Sequence, residues 1–104
     1  MNKQLKTKWV KALRSGTIKQ GRGGLLDAKG RMCCIGVLGR IRGLSDKTLL
    51  KCADSLSGEG LKKLEFLGDE ARRLAAMNDG TRYNGGLPKK HNFKQIAAWI
   101  EANL

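Results

Sequence analysis

Thiols, one imidazole and a crowd of cationic side chains are the chemistry this chain carries. The adjacent pair Cys33-Cys34 is the first candidate. A helix beginning there places Cys34 on a stripe with Val37, Leu38 and Ile41, as a small core residue. It leaves Cys33 at the helix start, where the dipole lowers a thiol pKa. A cysteine nucleophile also needs a base to take its proton, and the single histidine, His91, follows Lys89 and Lys90 in a loop. A cysteine hydrolase therefore ranks third among the functions considered, and no catalytic residue is assigned. Cys33, Cys34, Cys52 and His91 are four possible metal ligands, but adjacent cysteines rarely point at one ion. No Cys-x-x-Cys or His-x-x-x-His pair is present. Neither a metal nor a cofactor is expected.

Phosphate binding is better supplied. In Lys19-Gln20-Gly21-Arg22-Gly23-Gly24 the glycines let the backbone offer its N–H groups to an anion, with Lys19 and Arg22 adding charge. It is not a P-loop, because no Gly-Lys-Ser/Thr follows. Arg31 is expected to emerge beside the same turn. Across the chain the formal net charge is +12. Residues 1–53 hold 13 Lys and Arg against two acids, Asp27 and Asp46, whereas residues 54–104 hold 8 against 7. Self-repulsion on that scale does not help folding; it suits a polyanionic partner or secures solubility. The candidate phosphate contacts are Lys11, Arg14, Lys19, Arg22, Gly23, Arg31 and Arg40, within a wider basic surface that adds Lys3, Lys6 and Arg42. Aromatic residues make up 5% of the chain, too few for a single-strand stacking platform. Trp99 and Tyr83 are the two available for partner contact. Nucleic-acid binding is thus expected to be driven by shape and backbone.

The elements that must position these residues are mostly helical. Residues 2–15 place Leu5, Trp9, Ala12 and Leu13 on one face and Lys3, Lys11 and Arg14 on the other, with Gly16 as the stop. Residues 17–32 suggest a β-hairpin of short extended pieces around the glycine cluster and an Asp27–Gly30 turn. A second helix spans 33–42. Gly36 and Gly39 lie opposite its apolar stripe, where each costs about 1 kcal/mol against Ala unless another backbone packs closely there. Ser45 caps a short helix over Asp46–Ala53, and Ser55–Gly60 forms a loop. A helix over 69–78 follows Gly68, with Asn78 on its apolar stripe as a buried hydrogen-bonding hub. After a loop over Asp79–His91, Asn92 caps a last helix to Asn103, with Gln95 in the capping-box position. Phe93, Ile96, Ala97 and Ile100 share its buried face, and Trp99 lies about 120° away. The fold class expected is α+β: one small, mostly helical domain over 1–104, with a hairpin between the first two helices.

At 40% hydrophobic and 29% charged, the 104 residues describe one globular domain. No apolar run approaches the ~18 residues of a membrane span. Lys6, Lys8 and Lys11 interrupt any apolar stretch behind the N-terminus, so a secretory signal is not expected. An odd number of cysteines, two of them adjacent, is a poor disulfide framework. A reduced, cytoplasmic protein is expected; the oligomeric state is open.

Several segments together resemble a known family. They are Trp9-x-x-Ala12-Leu13-Arg14-Ser15-Gly16, Gln20-Gly21-x-Gly23, the Gly30-Arg31-x-Cys33-Cys34-Ile35-Gly36-Val37-Leu38 run, Met77-Asn78-Asp79 and Phe93-x-x-Ile96-Ala97-x-x-Ile100-Glu101. The pattern is similar to a family of small phage- and prophage-encoded proteins of unknown function. The sequence departs from that pattern at Gly39-Arg40 and in a longer stretch between Asp79 and Phe93. The resemblance implies a mobile-element accessory protein, of a kind that often acts on host defence or host machinery. With the charge distribution, the function expected is a non-enzymatic protein that binds a phosphate-rich ligand through its basic N-terminal half. That ligand would be nucleic acid or a phosphorylated signalling nucleotide withheld from a defence system. The alternative is a protein-binding inhibitor whose basic face docks an acidic surface of a host or defence protein.

Overall fold

The computed structural model describes residues 2–22, 25–51, 68–80 and 90–104. Helix α1 runs Lys3–Arg14. It starts where Asn2 Oδ1 accepts from the N–H groups of Gln4 (2.9 Å) and Leu5 (3.1 Å), which satisfies two of the four orphan donors of a helix start. It stops at Gly16, whose φ of +75° suits a residue without a Cβ. Leu5, Trp9, Val10 and Leu13 are its buried residues. The Trp9 indole N–H donates to the Cys34 carbonyl at 2.9 Å, so the largest core side chain has its one polar group satisfied.

Helix α2, Cys34–Ile41, is the centre of the molecule. Every residue from Cys34 to Gly39 is buried, so the helix is covered on all sides rather than along one stripe. It packs against α1, against the short helix α3 (Asp46–Lys51) and against α4 (Gly68–Asp79). Helix α5, Phe93–Asn103, lies along α1 and touches α4. It begins with the expected capping box between Asn92 and Gln95 (2.8 and 2.9 Å). Trp9, Met32, Leu38, Leu74, Ile96 and Ile100 meet in one apolar cluster. The helix expected over 46–53 begins at Asp46; Ala53, the Ser55–Gly60 loop and residues 81–89 lie outside the described residues.

The expected α+β class is not what forms. Among the described residues there is no strand, sheet or hairpin between α1 and α2. Two isolated bridges take the hairpin's place, Gln20 with Met32 (parallel) and Leu26 with Met32 (antiparallel). Met32 is thus shared by both flanking pieces, and neither forms a ladder. A half-buried strand alternates its faces, but Leu25 and Leu26 are consecutive and both buried. They lie against α2, where Gly36 faces the Leu25 carbonyl so closely that a Cβ there would overlap it and sit 2.8 Å from the carbonyl carbon. Helix α2 therefore replaces the sheet partner that the hairpin would have needed. The close backbone approach expected at Gly36 is present.

Asn78, fully buried, locks this segment in place. Its Oδ1 accepts from Gln20 Nε2 (2.9 Å) and from the Cys34 N–H (3.3 Å). Its Nδ2 donates to the Gly21 carbonyl (2.8 Å) and to Asp79 Oδ1 (2.9 Å). Gln20 Nε2 also reaches the His91 carbonyl (2.8 Å). The hub expected from the stripe position is real, and it joins four separate stretches of chain.

Candidate functional site

Two basic regions emerge among the described residues. The first is a surface groove of about 670 Å3 along α1, lined by Lys3, Lys6, Lys11 and Arg14. Thr7, Val10 and Ser15 complete the α1 side, and Glu101 closes it from α5. Helical geometry explains the grouping: at 100° per residue, Lys3, Thr7, Lys11 and Arg14 fall within about 80° of one another, with Lys6 and Val10 flanking. Val10 sits on the border between this face and the core face, giving the groove an apolar floor. The Glu101 carboxylate pairs with the Arg14 guanidinium, and Lys6 Nζ donates to the Glu101 backbone carbonyl at 3.1 Å.

The second region is the loop edge. Gly21 N–H donates to the Met32 carbonyl (2.7 Å) and Met32 N–H to the Lys19 carbonyl (2.9 Å), which brings Arg31 beside the Lys19–Arg22 stretch. A Cβ on Gly21 would sit 2.9 Å from that of Arg31. Lys19 and Arg22 are exposed. Arg31 is engaged internally: its Nε donates to Asp27 Oδ2 at 2.7 Å, while Asp27 Oδ1 accepts from the N–H groups of Lys29 and Arg31, each at 2.9 Å. The Arg31 N–H is the largest influence holding the Asp27 carboxyl below its ordinary range, and the Arg31 side chain adds to it.

The candidate residues are thus dispersed. Lys11 and Arg14 share the α1 groove, Lys19, Arg22 and Arg31 share the loop edge, and Arg40 pairs with Asp46 (3.0 Å) near the end of α2. Gly23 and Tyr83 lie outside the described residues. Trp99 is half-buried against the core, and the Arg73 guanidinium lies 5.8 Å from its ring centroid. Three of the four named arginines already hold a carboxylate, and that could not be read from residue types. The groove's other lining was missed in part. Thr7 and Val10 follow from the helical wheel, whereas Glu101 depends on how α5 packs.

The thiols correct another expectation. Cys33 does sit at the start of α2, and its Sγ accepts from the Gly36 N–H at 3.4 Å. Burial outweighs this and pushes the thiol up to about 11; Cys34, wholly buried, is raised well above its ordinary value for the same reason. In a Cys52→Ser background, a thiol reagent should label the native protein only as fast as it unfolds. The sign for stability follows: an unfolded thiol ionises near 9.0 but folded Cys33 near 11. Stability is complete below pH 9 and is lost as pH rises toward 11, by roughly 3 kcal/mol for this group. A Cys33→Ala variant should decline less steeply in alkaline melts. Parallel declines would mean that the thiol is not shielded. Among the described residues no three His, Cys, Asp or Glu side chains gather as a metal cluster, and no helix is long and apolar enough to cross a membrane.

Residues 1–47 match a family described as a domain of unknown function (DUF8296). The match covers α1, the bridged segment, α2 and the start of α3, and so includes the α1 cations and the Cys33-Cys34 run. No curated protein and no solved structure matches the chain.

Proposed function

We propose that this protein binds the phosphate backbone of a nucleic acid through the α1 groove, without catalysing a reaction. The observation that carries the reading is the groove itself: among its described lining residues, four cations from one helix face meet a single carboxylate. Lys3 and Arg14 are separated by about 16 Å of helix rise, a length that suits a string of phosphates better than one. The buried, protonated thiols favour a binding role over a cysteine nucleophile. The resemblance to phage- and prophage-encoded proteins supports a role in a mobile element, where sequestering a nucleic acid or a signalling nucleotide would blunt a host defence.

With three or four phosphates held, affinity for a short labelled DNA duplex should fall roughly a hundredfold between 50 and 200 mM salt. Replacing Lys3, Lys6 and Lys11 together by Gln should weaken binding at least about tenfold more than replacing the exposed Lys29, Lys47 and Lys94. Equal losses would mean that bulk charge, not the groove, does the binding. A protein retained from host lysate after nuclease treatment, with no duplex affinity, would replace the reading by that of a protein-binding inhibitor.

A further inference from the structure

We infer that Glu101 is an internal counter-anion of the α1 groove, holding Arg14 until an external phosphate displaces it and thereby setting the strength and salt dependence of binding. This rests on the reading of the groove as a phosphate site. Three features point to it. Among the described residues that line the groove, Glu101 is the one acid and lies among four cations. Its pair with Arg14 joins opposite ends of the chain, whereas the pairs Arg31–Asp27 and Arg40–Asp46 are local, the first of them closing a turn. The Arg14 and Glu101 side chains are 46% and 49% exposed, so water and ligands reach both and the pair is readily exchanged.

The helix does not account for the charge at this position. Glu101 lies in the last turn of α5, where the dipole disfavours an anion. What supports it there is α1: Lys6 holds its backbone carbonyl and Arg14 its carboxylate. A phosphate arriving in the groove offers Arg14 two oxygens in the same fork geometry as the carboxylate. It also carries neighbours that engage Lys3 and Lys11, which Glu101 cannot. The exchange therefore favours an extended polyanion over a lone anion.

The test compares wild type, Glu101→Gln and Asp46→Asn for binding to a short mixed-sequence DNA duplex across a salt series. The Asp46→Asn control removes the same charge from an ion pair outside the groove. Glu101→Gln should bind about fivefold more tightly at low salt, because Arg14 then meets its phosphate without first giving up a carboxylate, and the gain should shrink as salt rises. Asp46→Asn should change affinity less than about twofold. Adding Arg14→Gln to the Glu101→Gln variant should erase the gain. Equal tightening by both acid-to-amide variants, or none by Glu101→Gln while wild type binds, would overturn the counter-anion role alone. No binding by any variant would overturn the phosphate reading with it. Melting curves within a few degrees of wild type confirm that the fold is intact.

Discussion

Gly36→Ala should destabilise the protein by about 3 kcal/mol, although Ala is the better helix former by about 1 kcal/mol. The two effects have opposite signs, which makes the experiment decisive. On an uncovered helix face the added methyl would stabilise. Here it meets the Leu25 carbonyl, with the carbonyl carbon 2.8 Å away, and backbone cannot rotate aside as a flexible side chain can. Either α2 or the 25–26 segment must shift, and both carry buried core residues. For a domain of this size the melting temperature should fall by more than about 10 °C. Gly16→Ala provides the contrast. Nothing lies within 4 Å of a Cβ there and only the positive φ opposes it, so its cost should stay near 1 kcal/mol. A Gly36→Ala protein as stable as wild type would mean that the 25–26 segment does not press on α2.

The second large effect is expected at Asn78. Replacement by Leu keeps the branched outline, with bulkier methyl tips, but strips partners from the Cys34 N–H and the Gly21 carbonyl, at a cost of about 3 kcal/mol. Replacement by Asp is the smaller chemical change and should be the more damaging, by about 4 kcal/mol at neutral pH. An amide that donates to the Gly21 carbonyl and to Asp79 Oδ1 becomes an oxygen facing both acceptors. Burial and the Asp79 charge would raise the new carboxyl's pKa. Its penalty is then least at acidic pH, where the carboxyl is protonated, and grows as pH rises through the unfolded value of about 3.9. Chemical denaturation of Asn78→Asp near pH 4 and at pH 7 checks this. A defect independent of pH would show that residue 78 does not stay buried.

The helices were legible because their signals are local. Asn2, Gly16, Asn92 and Gln95 mark helix ends through contacts within a few residues, and the apolar stripes of α1 and α5 bury the side chains their spacing nominates, except that on α1 Ala12 is only partly buried and Val10 is buried as well. The hairpin was not legible as a mistake, because glycine clusters and a turn-forming Asp27 suit a hairpin as well as they suit the bridged segment. What decides between them is α2, a tertiary partner whose glycine face accepts a backbone. The site was legible in the same measure. Lys11 and Arg14 follow from the helical period, but the carboxylates that claim Arg14, Arg31 and Arg40 were placed by packing and turn geometry. A charge count shows that cations are in excess. It does not show which of them remain for a ligand.

The stretch that matches the domain family ends at residue 47, yet its structure is completed elsewhere. Its first helix is covered by α5, and the donor at the start of α2 is satisfied by Asn78. Cut at residue 47, the chain would bare Trp9 and the α2 core to water. Any relative that shares only this stretch must supply its own cover for α1 and its own acceptor for the start of α2. Inheritance can move these residues as a block of sequence, but not as a block of structure.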